Sequence, residues 1–421
     1  MRSPAPITTR RAAAQLTAIA CMACICPTAV LAGAWYTEAE LSIQTRIHPE
    51  DGPRSEQEHT DNSLGVLAEF YWESDDRNHS FTFTPWARQA VEAESRSHWD
   101  IRELQWTGVF GDWELRAGIS KVYWGRTEIF PLVDVINQLN LLENFDGEDR
   151  LGQPMLRAAY RTGPGYLIGF VLPGFREQRF PGQEARLSPP LAVRDSDPVY
   201  ESTDEDSHVD WAVRYAGYVG SLDFGIAHFQ GTNRQPLLIP DNPMMPTALV
   251  PAYGQMEQTS IDAQYTAGGW LYKLEALYRD SGVPQFPADG LQWGDEQFYA
   301  ATGGLEYTSY GIASTSADLG MVVEYLWDER GEAANTAFQN DLFLGGRLAF
   351  NDVLGTAILS GVVVDLDNDT RFFNLEASGR FNGQTSWSLQ TRVFSNVSAE
   401  DQLFSAIQND DYLELNITRY F

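Results

Sequence analysis

The chain of 421 residues has only three cysteines, and all of them, Cys21, Cys24 and Cys26, lie in its first 34 residues. Everything after them lacks a disulfide framework and must hold by packing and hydrogen bonding. Apolar runs of about 20 residues, the length a helix needs to span a bilayer, are missing, although strands with one apolar face need no such run. Basic residues are few, 29 against 58 acidic ones for a net charge of −29, and such a surface repels nucleic acid. Catalytic and metal spacings are missing as well. His48, His59, His79, His98, His208 and His228 show neither zinc spacing nor a G-x-S-x-G partner. Asp365, Asp367, Asp369 and Glu376 fit calcium-loop positions, but Thr370 stands where the sharp turn requires glycine. The acidic run Glu201 to Asp210 reads as a solvated external loop, with divalent cations bridging lipopolysaccharide as the alternative. No enzyme activity, cofactor or metal is expected.

Residues 1–34 read as a secretory signal: Arg10 and Arg11, an apolar stretch from Ala12 to Val30, then Ala32-Gly33-Ala34 as an A-x-A cleavage site before Trp35. Acylation of Cys21 or Cys24 is the other reading, with poorly matching residues upstream. Because Arg2, Arg10 and Arg11 belong to this segment and no acid does, the exported part, residues 35–421, is more acidic still.

That part alternates with a period of two. Trp270, Tyr272, Leu274, Ala276 and Tyr278 are interleaved with Leu271, Lys273, Glu275, Leu277 and Arg279, and Trp387, Leu389 and Val393 with Ser386, Ser388, Gln390 and Arg392. A soluble sandwich has the same period, so the connections decide. Short turns such as Gly111-Asp112, Gly268-Gly269 and Asn382-Gly383 take turns with long polar loops such as Phe175 to Ser207 and Gly231 to Gly254. The expected fold is all-β: a transmembrane antiparallel up-and-down barrel of about 18 strands (16 to 18), with both termini on the short-turn rim. Trp35, Tyr36, Trp72, Trp99, Trp113, Trp211, Tyr218, Trp270, Tyr278, Trp327 and Tyr412 are candidates for its interfacial girdles.

The final strand, D-Y-L-E-L-N-I-T-R-Y-F from Asp411 to Phe421, carries Leu413, Leu415, Ile417 and Phe421 on one face. It resembles the C-terminal assembly signal of Gram-negative outer-membrane barrels, with Phe421 as the terminal aromatic and Arg419 as a departure. The runs W-E-L-R-A-G-I-S-K-V-Y-W-G from Trp113 and P-L-V-D-V-I-N-Q from Pro131 also resemble a family of uncharacterised porin-like outer-membrane proteins. This resemblance implies location in the outer membrane, contact with its lipid and lipopolysaccharide, and insertion by the barrel assembly machinery. A homo-oligomer is compatible with it.

One segment breaks the strand rhythm. In Trp124 to Gln153, Pro131 is expected to open a short helix with Leu132, Val135, Ile136, Leu139 and Leu142 on one face, folded into the lumen as a constriction. Asp134, Asn137, Gln138 and Glu143 are its expected polar side; the bland alternative is a lid helix on the outer rim. Parity gives an inward, pore-lining set of Arg116, Arg157, Arg161, Arg214, Lys273, Arg279, Arg347, Arg380 and Arg392. With the acidic groups of the loop, Asp134, Glu143, Asp146, Glu148 and Asp149, these would set a field across the passage. For any single arginine an ion pair with an inward acid such as Glu275 or Glu376 is as good a reading. The expected function is a porin for passive diffusion of small hydrophilic, preferentially anionic, solutes. The alternatives are a polysaccharide export channel, an outer-membrane enzyme or a structural barrel.

Overall fold

The computed structural model describes residues 33–144, 147–286 and 290–421. The signal expected over residues 1–34 lies outside them except for Gly33 and Ala34, which open the first strand. Eighteen antiparallel strands form one sheet that closes on itself. They are β1 (Gly33–Ile47), β2 (Thr60–Ser74), β3 (His79–Ala90), β4 (His98–Phe110), β5 (Trp113–Ser120), β6 (Gln153–Thr162), β7 (Gly165–Pro173), β8 (Val209–Val219) and β9 (Leu222–Thr232). The second half comprises β10 (Gln255–Ala267), β11 (Trp270–Gln285), β12 (Gln292–Ser309), β13 (Asp318–Asp328), β14 (Asn340–Ala349), β15 (Ala357–Asp365), β16 (Arg371–Asn382), β17 (Thr385–Ser395) and β18 (Tyr412–Tyr420).

Each strand pairs with its neighbours in sequence, and β18 returns to β1 with Glu40 opposite Tyr420 and Ile47 opposite Leu413. Phe421 extends this seam: its N–H donates to the Ala39 carbonyl at 2.9 Å. Closure leaves no sheet edge, the condition for a strand-built protein to sit in lipid. At the seam Arg46 meets Glu414 at 2.7 Å, with both side chains buried, and Gln44 donates to the same carboxylate at 2.6 Å.

The outward positions are apolar and exposed, as Leu41, Ile43, Leu156, Ile226, Leu274, Leu344 and Leu415 show. Exposed Trp35, Trp99, Trp113, Trp211, Trp270 and Trp327 flank this belt, whereas Tyr36 and Tyr218 are corrections to the expected girdle: near the short-turn rim they share the inward parity of Glu38 and Arg214. Tyr412 is a correction to the expected girdle: it is buried and faces inward, because its parity follows Glu414, and its ring lies under the Arg46 guanidinium, 4.4 Å away. An apolar outer surface around a charged interior fits lipid and not water.

The connections form two rims. Those at 75–78, 111–112, 163–164, 220–221, 268–269, 310–317, 350–356 and 383–384 share one rim with both termini of the barrel. The longer ones, including 48–59, 121–152, 174–208, 233–254 and 396–411, share the other. The connection after β11 is only 286–291, since Ser281 to Gln285 pair with Gln292 to Glu296 and carry the hairpin beyond the apolar belt. Within 174–208 and 233–254, Val199–Tyr200, Leu237–Pro240 and Leu249–Tyr253 make a separate three-stranded sheet outside the barrel.

Candidate functional site

The segment 121–152 enters the barrel instead of returning directly to its rim. Strand β5 has only eight residues, so the chain leaves the wall part-way up and continues inside. Trp124, Val133, Val135 and Ile136 pack on Met155, Ile168, Phe170, Ala212, Phe229 and Met256 of the inner wall. Leu132, with Ile129 and Phe130, packs on a second inward cluster that includes Leu277, Phe298 and Phe343.

Wall carboxylates hold the loop backbone. Glu275 on β11 accepts hydrogen bonds from the N–H groups of Arg126, Thr127 and Val133. Glu324 on β13 accepts those of Glu128 and Ile129 at 2.8 and 3.0 Å. These N–H groups are therefore satisfied by the wall, and no helix forms after Pro131, contrary to the sequence expectation. The apolar periodicity was real; its side chains are divided between two wall clusters instead of lying on one helical face.

The four polar residues expected to narrow the lumen are buried structural groups. Asp134 accepts from the N–H groups of Trp124 and Gly125 at 2.6 and 2.9 Å and lies 3.6 Å from Arg150. Asn137 ties Val122 to the carbonyls of Ser120 and Leu151. Gln138 is fully buried and caps the Leu139 N–H. Glu143 reaches the opposite wall, where Arg88 binds it at 2.5 Å, the Trp86 indole donates at 3.0 Å and His98 lies at 3.2 Å. Burial alone would raise its pKa, but Arg88 holds the Glu143 carboxyl well below the usual carboxylate range. Asp146 lies outside the described residues.

All nine basic residues selected by parity occupy inward positions, and most meet an acceptor. Arg116 and Arg157 share Glu114, at 2.8 and 2.6 Å. Arg214 pairs with Asp262 at 2.6 Å across Gly225, whose missing side chain makes the crossing possible because a Cβ there would collide with the guanidinium. Lys273 lies 3.0 Å from Glu128 and 3.6 Å from Glu324, while Arg347 also meets Glu128, at 3.2 Å. Arg279 donates to Gln258, and Arg392 is buried against Glu376 at 2.7 Å. Arg161 and Arg380 stand near the short-turn rim.

The acidic side of the lumen differs from the expected one. It is supplied by Glu128 at the low point of the loop, and by Glu38, Glu40 and Glu69, whose register places them on the inner face of β1 and β2. Parity reading of those strands would have found them. Arg126, which pairs with Asp262 at 3.0 Å, and the wall residues Arg46, Arg88 and Arg102 were also missed. For the three wall residues the signal, arginine at inward parity, was present in the sequence; Arg126 lies in the loop, where parity gives none.

The second long connection, 174–208, lies across the outer mouth. From β7 and β8 it reaches the connections on the far side, which the β1–β18 seam carries. Arg186, buried, donates to Asp410 at 2.5 Å and to the carbonyls of Asn409 and Glu50 at 2.5 and 3.0 Å. The Leu187 N–H donates to the other Asp410 oxygen at 2.7 Å, although Leu187 itself has a φ of +56°, a strained value for a branched side chain. Gln57 donates to the Ala185 carbonyl at 2.7 Å, and Glu184 accepts from the Ser95 N–H at 2.8 Å. A pocket of about 310 Å³ remains beside this strap, lined among others by Ser97, His98, Leu142, Arg179, Phe180 and Asp195.

No protein-family model matches the chain, and no curated protein matches it. Among solved structures, a BenF-like porin from Pseudomonas fluorescens is similar over 92% of this chain and 98% of its own, at 9% identity and a TM-score of 0.51. OprB from Pseudomonas putida (8% identity, 92% and 94% coverage, TM-score 0.47) and OmpF from Salmonella typhi (10%, 92% and 98%, 0.45) are more distant in shape. The closed 18-stranded sheet, its apolar belt with aromatic margins and its two unequal rims, together with the likeness to the BenF-like structure, identify the chain as an outer-membrane β-barrel of the porin fold.

Proposed function

We propose that the barrel is a passive diffusion channel for small hydrophilic solutes, with a preference for anions. The observation that carries this reading is that charged side chains on the inner face of a closed barrel remain open to water. Arg347 is 48% exposed, Arg116 37% and Glu128 28%, although the sheet shields all three from bulk solvent outside. Groups inside a wall without edges stay hydrated where water fills the interior. In this reading the segment 121–152 sets the constriction, and the water-accessible basic residues on the wall select by sign.

The rest of the assignment follows from export and assembly. The segment 1–34 directs secretion, Phe421 on the closing strand is the mark read by the assembly machinery, and the apolar belt contacts lipid and lipopolysaccharide. Neither an enzyme nor a structural barrel requires conduction, so one measurement divides these classes. Refolded protein in a planar bilayer is expected to show stable conductance steps. Changing Arg116, Arg157 and Arg347 together to Glu is expected to move the reversal potential in a salt gradient toward cation preference. A silent wild-type protein refutes the channel, and an unmoved reversal potential refutes the role of these arginines.

A further inference from the structure

Arg116 on β5 and Arg157 on β6 are directly opposite each other in register. Like charges at such a position repel and destabilise a sheet. One carboxylate lies between them, and both guanidinium groups use the same Glu114 oxygen: Nε of Arg116 at 2.8 Å and Nη1 of Arg157 at 2.6 Å. Among the described residues no acceptor meets Nη1 and Nη2 of Arg116, or Nε and Nη2 of Arg157. Arg161 follows four residues later on the same inward face of β6, and its guanidinium also has no protein acceptor among the described residues. Two hydroxyl groups border the patch by register, Thr107 opposite Arg116 and Tyr166 opposite Arg161.

The arrangement leaves a surplus of positive charge and several unused N–H donors on a water-accessible stretch of inner wall, below the loop that crosses the lumen. Paired guanidinium groups present N–H forks that fit the oxygens of a tetrahedral or planar oxyanion. Glu38, Glu40 and Glu69 on β1 and β2 supply the opposite sign on another part of the wall and direct an anion toward β5 and β6. We propose that Arg116, Arg157 and Arg161 form a binding station for a small multivalent oxyanion of the phosphate or dicarboxylate class. The proposal rests on the channel reading for access, and not for its chemistry.

Inorganic phosphate is the probe. In chloride-carrying bilayers of the refolded full-length protein, phosphate at constant ionic strength is expected to reduce the current. Arg116→Gln and Arg157→Gln should each abolish most of that reduction, and Glu114→Gln, which removes the internal counter-ion, should shift half-maximal block to lower phosphate. Independently of conduction, phosphate should raise the temperature at which the folded gel band is lost in the wild type, since a ligand bound only by the folded state stabilises it, and should do so less in Arg157→Gln. Chloride current without phosphate block, or block that persists in both arginine variants, overturns the station. A silent protein whose folded band phosphate still protects overturns the channel and keeps the station; a silent protein without protection overturns both.

Discussion

Two long connections cross space enclosed by the same barrel and are fixed by opposite chemistries. The loop 121–152 is held by its backbone, whose N–H groups end on two wall carboxylates, Glu275 and Glu324. The strap 174–208 is held largely by its side chains and those of its neighbours, above all by the Arg186 guanidinium on Asp410. The difference concerns what is left after one partner is lost. Backbone N–H groups of an internal loop cannot turn away and stay buried without an acceptor, which costs about 1–3 kcal/mol for each unsatisfied group. A guanidinium at the rim can swing into water. The inner loop is therefore built as a fixed insert and the strap as a detachable one.

The largest effect should come from removing the inner anchors. Changing Glu275 and Glu324 together to Ala leaves the N–H groups of five residues, Arg126 to Ile129 and Val133, without their acceptors. Conductance is expected to rise severalfold and become noisy, with a lower temperature for loss of the folded band; a quiet pore of unchanged size would show that the apolar contacts alone fix the loop. Next in size is Arg186→Gln. It should leave barrel stability nearly unchanged while making the 182–188 stretch cleavable by added protease, because the break concerns a rim contact and spares the ladder. Resistance equal to that of the wild type would mean that Gln57, Glu184 and Arg54, which donates to the Gln183 carbonyl at 3.0 Å, suffice to hold the strap.

The smallest effect concerns pH. His48, at the seam beside the strap, is pushed down to about 3 by burial, with Arg186 and Arg46 adding repulsion of a second cation. Its Nδ1 lies 3.0 Å from the Asp411 carbonyl and its ring packs on Tyr412. A histidine depressed in the folded state leaves stability intact above its unfolded value, about 6.5, and costs stability progressively as pH falls from there toward 3. Strap cleavage should accordingly increase with acid between these limits, and His48→Gln should flatten that increase. An acid-induced increase that persists unchanged in His48→Gln would show that His48 is not its source.

Much of the barrel is legible in the sequence because its signals are local. Alternation fixes which residues face lipid, turn chemistry fixes the short rim, and together they place all nine inward basic residues by parity alone. The inner loop was legible as an interruption but not in its conformation. An apolar spacing near 3.6 normally signals a helix only because the backbone satisfies itself, whereas here Glu275 and Glu324, about 150 and 200 residues away along the chain, take over that task. Asp134 and Glu143 read as exposed loop acids and turn out to be buried, Asp134 against the N–H of Trp124 within its own loop and Glu143 against Arg88 on the wall, because the fold of the loop and not its local pattern sets those contacts. Tyr412 misled for a related reason: a tyrosine near a strand end suggests an interfacial girdle until the register of the seam puts it inside.

The seam also bears on how such a molecule verifies its own completion. Arg46, on the first strand, has its counter-charge on Glu414, seven residues before the end of the chain. During synthesis and delivery this cation exists long before its partner, so a barrel missing its last strand carries unpaired charge along an open edge. Closing the circle removes the edge and the unpaired charge in one step. The join thereby acts as a form of electrostatic proofreading, in which an incomplete chain is penalised twice and a finished one is sealed.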